Sequence, residues 1–344
     1  MPQSSRPKKR SSLLASVAGC ALATGLILWL LVRAAGPMPG AEISARTMAG
    51  VKAVGEQVRQ LSLAYLLPLL LCELAVQMSK ALKWTAVLRT VHPVRYSSAL
   101  RGVIVGAAAT HLVPLRLDEV LRAGVVARRE GISAATVFGT VVVDRIVEVF
   151  FLGCVLGALA LGAGGLPEVF ARAAWLLGGG FGGVLIGCFF LLRYEQSILA
   201  MLPENAAGTR LKSALGSLVQ GLRSLPRGRG LALLLLGAAF EWTATIIFYL
   251  LILQMAAIGA PPSLAVLLAL GNTVSYALPN LPGAIGFFEL IQGGMLEAVA
   301  HLDPARATAL ALSAHALLML PVTAVGLIVG FFEWRRTPHR GGRG

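Results

Sequence analysis

Ionised side chains and cysteines are scarce in this sequence of 344 residues. Asp, Glu, Lys and Arg together make up 13% of it, whereas hydrophobic residues make up 56%. A soluble globular domain of this length needs more polar surface, so that class of protein is excluded. The four cysteines lie in apolar runs, without a CxxC pair or a nearby histidine. The sequence therefore predicts neither a disulfide nor a cysteine metal site.

Known catalytic motifs are missing as well. No GxSxG, HExxH or Walker pattern occurs, and nothing resembles a catalytic triad. His111, His301 and His315 are isolated in sequence, so we interpret them as structural or interfacial and not as a metal set. We therefore predict no catalytic residue, no metal and no cofactor.

Long apolar runs are what the sequence has in abundance, and a membrane span needs ~20 such residues. They predict an all-α polytopic membrane protein with about six transmembrane helices. The first run follows a basic tail and is interpreted as an uncleaved signal anchor. The predicted spans are Leu13–Val32, Leu61–Ser79, Ile146–Leu166, Ala171–Leu192, Leu231–Ile258 and Arg306–Phe332.

The net charge of +14 comes from basic residues that cluster beside these runs. Of 30 Lys and Arg, 23 fall in five clusters: before Leu13, over Lys80–Arg101, Arg116–Arg129 and Arg193–Arg229, and after Trp334. Such flanking predicts cytoplasmic loops at an anionic lipid surface, with both termini cytoplasmic. It accounts for the basicity without a nucleic-acid partner.

Two further apolar stretches are too short or too interrupted to span. Gly102–Leu115 would be about 21 Å long as a helix, and basic residues lie on both sides, so we predict that it enters and leaves from the cytoplasm. The stretch "NTVSYALPNLPGAIGFFEL", Asn272–Leu290, lies in a region without Lys or Arg from Gly259 to Ala305. We predict that it enters from outside.

The pattern of span, re-entrant element and span therefore occurs twice, at residues 61–166 and 231–332, with opposite orientations. Paired interrupted segments in inverted halves are typical of a transport site at the membrane midplane, although two unrelated breaks would give the same pattern. We predict one transmembrane domain at residues 13–332, between basic tails at 1–12 and 333–344.

Charged residues within apolar surroundings are candidates for a site, since each costs ~2.5–3.5 kcal/mol at a helix centre. In "VVVDRIVEVFF", Arg145 and Glu148 are spaced to pair on one helix face. Asp144 and Glu148 are like charges one turn apart and would repel each other unless Arg145 or another cation bridges them. A structural ion pair and a functional group are both compatible with this spacing.

The segment "VPLRLDEVLRAGVVARR" follows the first short stretch, which Pro114 ends. Asp118 and Glu119 are both at helix-pair spacing from Arg122, and Arg116 precedes them. These residues fit an interfacial helix with solvated pairs, and their position beside a re-entrant element also fits a site.

In the second stretch, Pro279 and Pro282 interrupt the helix, and Pro282 is suited to open a new one. We predict uncapped amides at Gly283, Ala284 and Ile285, which would form an anion site. Glu289 would face the same groove. Close packing of Gly283 and Gly286 against a neighbouring helix is the alternative.

Three motifs together resemble the lysylphosphatidylglycerol synthase transmembrane region, a family of flippase-like membrane proteins. They are "GVIVGAAATHLVPLRLDEVLRAGVVARREGIS", "VVVDRIVEVF" and "LPNLPGAIGFFE", and the resemblance covers nearly the whole chain. Two departures are His111, where an asparagine is usual, and Leu117–Asp118, which replaces a more Gly-like pair. The matched positions are Pro114, Arg116, Glu119, Arg122, Gly131, Arg145, Glu148, Pro282, Gly283, Gly286 and Glu289.

The resemblance implies movement of a lipid between leaflets of the bacterial cytoplasmic membrane. The implied lipid is an anionic phospholipid or a polyprenyl-linked or hopanoid-type lipid, and no oligomeric state is implied. The sequence contains no soluble aminoacyl-transferase domain, so synthase activity is not expected. The expected lipid-binding residues are Pro114, Arg116, Glu119, Arg122, Asp144, Arg145, Glu148, Asn272, Pro279, Pro282, Gly283, Gly286 and Glu289.

Within this set, Arg145 and the helix start at Gly283–Gly286 would hold a phosphate, while Glu119, Glu148 and Glu289 balance charge, gate the groove or carry protons. The alternative is a membrane-embedded enzyme or assembly factor that modifies a lipid headgroup, with Asp144, Glu148 or Glu289 as acid–base groups. A structural subunit without transport activity is a third possibility.

Overall fold

The structure is a computed structural model that describes residues 25–34, 36, 43–113, 117–162, 183, 186–187, 189–203, 205, 209, 211–213, 215–216, 219–220, 223–277 and 282–335. Over these residues the regular structure is helical, without a strand. The predicted all-α membrane fold is confirmed. The helices are α1 (Gly25–Ala34), α2 (Ile43–Arg59), α3 (Leu66–Leu88), α4 (Tyr96–Leu112), α5 (Asp118–Glu130), α6 (Ala134–Gly162), α7 (Glu195–Ala200), α8 (Arg229–Met255), α9 (Pro262–Ala277), α10 (Phe287–Ala300) and α11 (Pro304–Arg335).

Three helical segments in the described part of the chain are long and apolar enough to cross a membrane. They are Leu63–Leu88, Arg229–Met255 and Pro304–Arg335, and they coincide with three of the predicted spans. Most of Ala171–Leu192 and of Leu13–Val32 lies outside the described residues. The number of spans, their orientation and the two re-entrant elements stay predictions.

Two helices extend beyond the spans that the sequence predicted. The predicted end at Ser79 was wrong, since α3 continues to Leu88 with Ala81, Trp84 and Val87 in the hydrophobic core. Because α6 begins at Ala134 instead of Ile146, Asp144 and Glu148 lie well inside this helix of 29 residues. The apolar residues that precede Ile146 account for the longer helix.

The first short stretch also begins earlier than predicted, because α4 starts at Tyr96. With 17 residues it is about 26 Å long. It ends at Leu112, and the next described helix begins at Asp118. Pro114 and Arg116, two of the predicted site residues, lie outside the described residues.

The sequence predicted that a new α-helix starts at Pro282 in the second stretch, and this prediction was wrong. Residues Pro282–Ala284 form a single 3-10 turn in which Gly283 has φ 67°. Gly286 has φ 89°, and α10 begins only at Phe287. These two left-handed conformations suit glycine, which lacks a Cβ, and they delay the helix by five residues. Pro279 lies outside the described residues.

The chain divides into two compact units. The first unit contains residues 1–73, 108–117 and 245–324, and the second unit contains residues 74–107, 118–244 and 325–344. These boundaries differ from those of the predicted repeats, so the repeats stay a prediction. In the second unit, the hydrophobic core joins α3, α4, α5, α6 and α8 through residues such as Trp84, Val103, Val126, Val141 and Leu234.

Candidate functional site

Lys83 lies at the centre of a group of ionised side chains in the second unit. Its side chain is 0% exposed, and its ammonium lies 2.9 Å from Glu241 Oε2, 3.0 Å from Glu148 Oε1 and 3.3 Å from Asp144 Oδ1. Lys83 is therefore the cation that the like charges Asp144 and Glu148 required. Lys83 belongs to α3, and its hydrogen bond to Glu148, 65 residues later in the sequence, joins α3 to α6.

Arg122 extends this group from α5. Its Nη2 donates a hydrogen bond of 2.8 Å to Asp144 Oδ2, and its Nη1 lies 3.9 Å from Glu119. The guanidinium carbon lies 4.0 Å from the ring centroid of Trp84, a close cation–π arrangement. Trp84 Nε1 donates in turn to Thr140 Oγ1 at 3.0 Å, which fixes the ring under Arg122.

Arg145 is the most accessible member of the group. Its Nε lies 2.6 Å from Glu119 Oε1, and its Nη1 donates to Glu148. The predicted pairing of Arg145 with Glu148 is thus confirmed. The Arg145 side chain is 45% exposed, whereas that of Asp144 is 1% exposed.

We call these residues the charged cluster, and it contains four cations and four carboxylates. With ordinary protonation these charges cancel, so the formal charge of the cluster is zero. Each carboxylate also has at least one cation within 4.0 Å. Mutual pairing thereby offsets part of the lost hydration. The members are Lys80, Lys83, Glu119, Arg122, Asp144, Arg145, Glu148 and Glu241.

Glycines let the helices around the charged cluster approach closely. A Cβ on Gly102 would lie 2.9 Å from Val126 Cγ2 and 3.1 Å from the Arg122 carbonyl oxygen. A Cβ on Gly237 would lie 3.1 Å from Lys83 Cβ. Real Cβ contacts are seldom this short, so the absence of a side chain at these two glycines favours the close packing of α4 on α5 and of α8 on α3.

A second polar site, in the first unit, joins α10 to α11. Glu289 Oε1 lies 2.6 Å from His315 Nδ1, and Glu289 Oε2 accepts the Gly286 N–H at 2.7 Å. The ring of Phe288 stacks on His315 with centroids 4.2 Å apart. Glu289 and His315 are 2% and 4% exposed, and we call them the acid–histidine pair.

The acid–histidine pair corrects two predictions. The uncapped amides were expected at Gly283, Ala284 and Ile285, but these residues precede α10, and at its N-cap the Glu289 side chain accepts the Gly286 N–H. His315 was interpreted as isolated, but the fold brings it to Glu289. The side chain of Glu289 is therefore engaged at the helix start and in the pair with His315.

Other polar residues of the first unit surround this site. Gln292 donates to the Leu268 carbonyl at 2.9 Å and to Tyr249 Oη at 3.2 Å. Tyr276 lies with its ring 6.3 Å from that of His315 and 6.1 Å from that of His111. His111, which replaces the usual asparagine, lies 2.7 Å from Thr323 Oγ1.

The structure thus brings together only part of the predicted set. Glu119, Arg122, Asp144, Arg145 and Glu148 meet in the second unit. Asn272, Pro282, Gly283, Gly286 and Glu289 belong to the first unit. The single groove that was expected to unite both groups stays a prediction, and so does lipid binding by these residues.

The predicted site residues do not include three polar residues that the structure places in the two sites: Lys83, Glu241 and His315. Lys83 was assigned to a cytoplasmic loop, although Ala81, Trp84 and Val87 continue the helical pattern around it. Glu241 has no basic residue beside it in sequence, and the fold brings Lys83 to it. Across the described ranges, no group of three His, Cys, Asp or Glu side chains is arranged to hold a metal ion.

Comparison with known proteins matches the chain to a protein family. The family model described as "Lysylphosphatidylglycerol synthase TM region" matches residues 16–326. No curated protein and no solved structure matches the chain. The matched range includes every residue of the charged cluster and of the acid–histidine pair.

Proposed function

Because the chain belongs to the lysylphosphatidylglycerol synthase transmembrane-region family, we propose that it moves a lipid between the two leaflets of the bacterial cytoplasmic membrane. The family supports a flippase-like membrane domain that handles lipids. We propose further that the lipid carries an anionic phosphate headgroup, on an acylglycerol or an isoprenoid-type lipid, and that Arg145 binds it.

The accessibility of Arg145 within the charged cluster carries this proposal. An ionised group in a membrane domain is costly, and such groups commonly mark the path of a polar substrate. Lys83 and Asp144 are buried, whereas the Arg145 side chain is 45% exposed. A guanidinium has five N–H donors and binds phosphate through two parallel hydrogen bonds. It is therefore suited to meet a headgroup that enters from outside the cluster.

The pairing within the cluster suggests how a phosphate would be accepted. A headgroup at Arg145 would displace Glu119 or Glu148, the two carboxylates that pair with its guanidinium. Glu148 would keep Lys83 at 3.0 Å, and Glu119 would keep Arg122 at 3.9 Å. Neither carboxylate would be left as an unpaired buried charge, which would be strongly destabilising. The exchange therefore needs little compensation from other parts of the protein.

A leaflet-resolved assay in proteoliposomes tests the proposal. A fluorescent anionic phospholipid is placed in both leaflets, and an impermeant reductant bleaches the outer one. We expect the protein to accelerate bleaching of the inner pool over protein-free vesicles. Arg145→Gln should lower the rate at least about tenfold, because a hydrogen bond to a charged group contributes ~1.5–3 kcal/mol.

Arg128→Gln is the matched control. Arg128 is an exposed arginine of α5 whose side chain donates to the Gly124 carbonyl, outside the charged cluster. This variant should retain the wild-type rate. An inner pool that bleaches no faster than in empty vesicles would contradict the transport function. Recovery of lipid with an altered headgroup would favour the enzymatic alternative, and an unchanged rate in Arg145→Gln would refute the assigned site.

A further inference from the structure

The acid–histidine pair, Glu289 and His315, has the properties of a proton-binding site. We propose that it binds and releases one proton in each transport cycle and so couples lipid movement to a proton gradient. This inference rests on the proposed transport function and adds its energy source. The ligand is the proton itself, taken from water on one side of the membrane and returned to water on the other.

The position of the pair is the first argument. His315 lies eleven residues after Pro304, about 17 Å along α11. This helix is long and apolar enough to span a membrane, so His315 lies well inside a candidate span, away from both of its ends. Ionisable groups at that depth commonly serve proton relays and ion pathways.

The charge of the pair is the second argument. With one proton shared between the carboxyl and the imidazole, the pair is neutral overall. Removal of that proton leaves a net charge of −1 in a buried site. Within the described residues, no lysine or arginine forms a salt bridge with Glu289, in contrast to every carboxylate of the charged cluster. A buried uncompensated charge is unfavourable, so the proton leaves only when water or another change of structure reaches the site.

The free nitrogen of His315 is the third argument. Nδ1 faces Glu289, whereas Nε2 is buried and has no hydrogen-bond partner in the described part of the chain. An unsatisfied buried polar atom costs about 1–3 kcal/mol, and such an atom calls for an explanation. A proton can enter at Nε2 while the proton on Nδ1 passes to the Glu289 carboxylate, so that the carboxyl group gains a proton, and the reverse transfer releases it. Histidine carries out such exchange readily near neutral pH.

Other titratable groups of the first unit also face this region. Tyr276 of α9 has its ring 6.3 Å from that of His315, and His111 of α4 approaches Tyr276. Tyr249 of α8 reaches the site through Gln292. Glu73 of α3 is within electrostatic reach of both tyrosines. Glu289 and His315 are in direct hydrogen-bond contact with each other, and these two residues form the proposed site.

A capping role for Glu289 would explain its contact with Gly286 without any proton transfer. Glu289→Gln separates the two roles, because the amide oxygen of glutamine can still accept the Gly286 N–H but cannot titrate. In proteoliposomes with an imposed pH gradient, we expect wild-type lipid movement to accelerate severalfold. Glu289→Gln should still move lipid at equal pH and lose the acceleration.

Glu297→Gln is the control on the same helix, since Glu297 pairs with Arg33 away from this site. It should respond to the gradient as the wild type does. A wild type that moves lipid but ignores the gradient would overturn the coupling, and so would a gradient response retained in Glu289→Gln. If Glu289→Gln does not fold, His315→Asn, which keeps a donor toward Glu289, gives the same comparison.

An infrared titration of the purified protein in detergent tests the site without any transport. A carboxyl band that titrates in the wild type and in Glu297→Gln should be missing in Glu289→Gln. Its persistence in Glu289→Gln would overturn the proton site. If the wild type moves no lipid, the proposed transport function fails, and this titration still decides whether the pair binds a proton.

Discussion

A fully buried ammonium loses its hydration, and Lys83 recovers stabilisation from three carboxylates at 2.9–3.3 Å. At the residue scale this makes Lys83 the most connected member of the charged cluster. Two of the carboxylates, Asp144 and Glu148, are one helical turn apart on α6 and would repel each other without it. The lysine therefore stabilises the local conformation of α6 as well as its contact with α3.

Lys83→Met should destabilise the protein strongly. The change leaves three carboxylates without their shared cation, and removal of one partner from a buried pair costs about 3–5 kcal/mol. Thermal unfolding in detergent should show a clearly lower midpoint. Lys80→Met is the control, because Lys80 is partly exposed and lies 3.9 Å from Glu241, so its loss should change the midpoint little. Equal effects of the two substitutions would refute the central role of Lys83.

At the element scale, the packing of α4 on α5 depends on glycine. Gly102 lies against Val126, the Arg122 carbonyl and the Trp84 ring, with no room for a methyl group. Gly106 lies one turn further along α4 and faces Arg122 and Asp118. Close helix approach through small residues is common in membrane proteins. Here it places α5, and with it Arg122, beside Asp144.

Gly102→Ala should lower stability by about 1–3 kcal/mol, the usual cost of an added methyl group in a packed interior. Gly124→Ala on α5 is the matched control, since a Cβ there would meet nothing within 4 Å. That substitution should be neutral or stabilising by up to ~1 kcal/mol, because alanine favours helix more than glycine does. Chemical unfolding in mixed micelles measures both. A neutral Gly102→Ala would contradict the close packing.

The elements also show what the sequence can and cannot predict. Arg145 and Glu148 were predictable as a pair because their spacing on one helix brings them together. The contact of Lys83 with Glu148 spans 65 residues and depends on how α3 packs on α6, which no local pattern specifies. The late start of α10 depends on the left-handed conformations of Gly283 and Gly286. Proline at 282 favoured an earlier start, and the local turn overrode it.

At the scale of the whole molecule, the positive-inside pattern predicts the topology. Single cysteines at positions 117 and 280, in a variant without the four native cysteines, should react with impermeant reagents from opposite sides. Position 117 should be labelled from the cytoplasm and position 280, which lies outside the described residues, from the exterior. Labelling experiments on cells and inverted vesicles measure this. Labelling of both positions from one side would refute the inverted repeat.

The zero formal charge of the charged cluster has a consequence for membrane voltage. A transmembrane potential does work of about 2.3 kcal/mol per elementary charge per 100 mV. Four cations and four carboxylates that move together carry no net charge, so the field exerts no net force on them. Any voltage dependence of transport would then come from the headgroup or from the proton at Glu289 and His315. Current recordings with neutral and anionic lipids would separate these two sources.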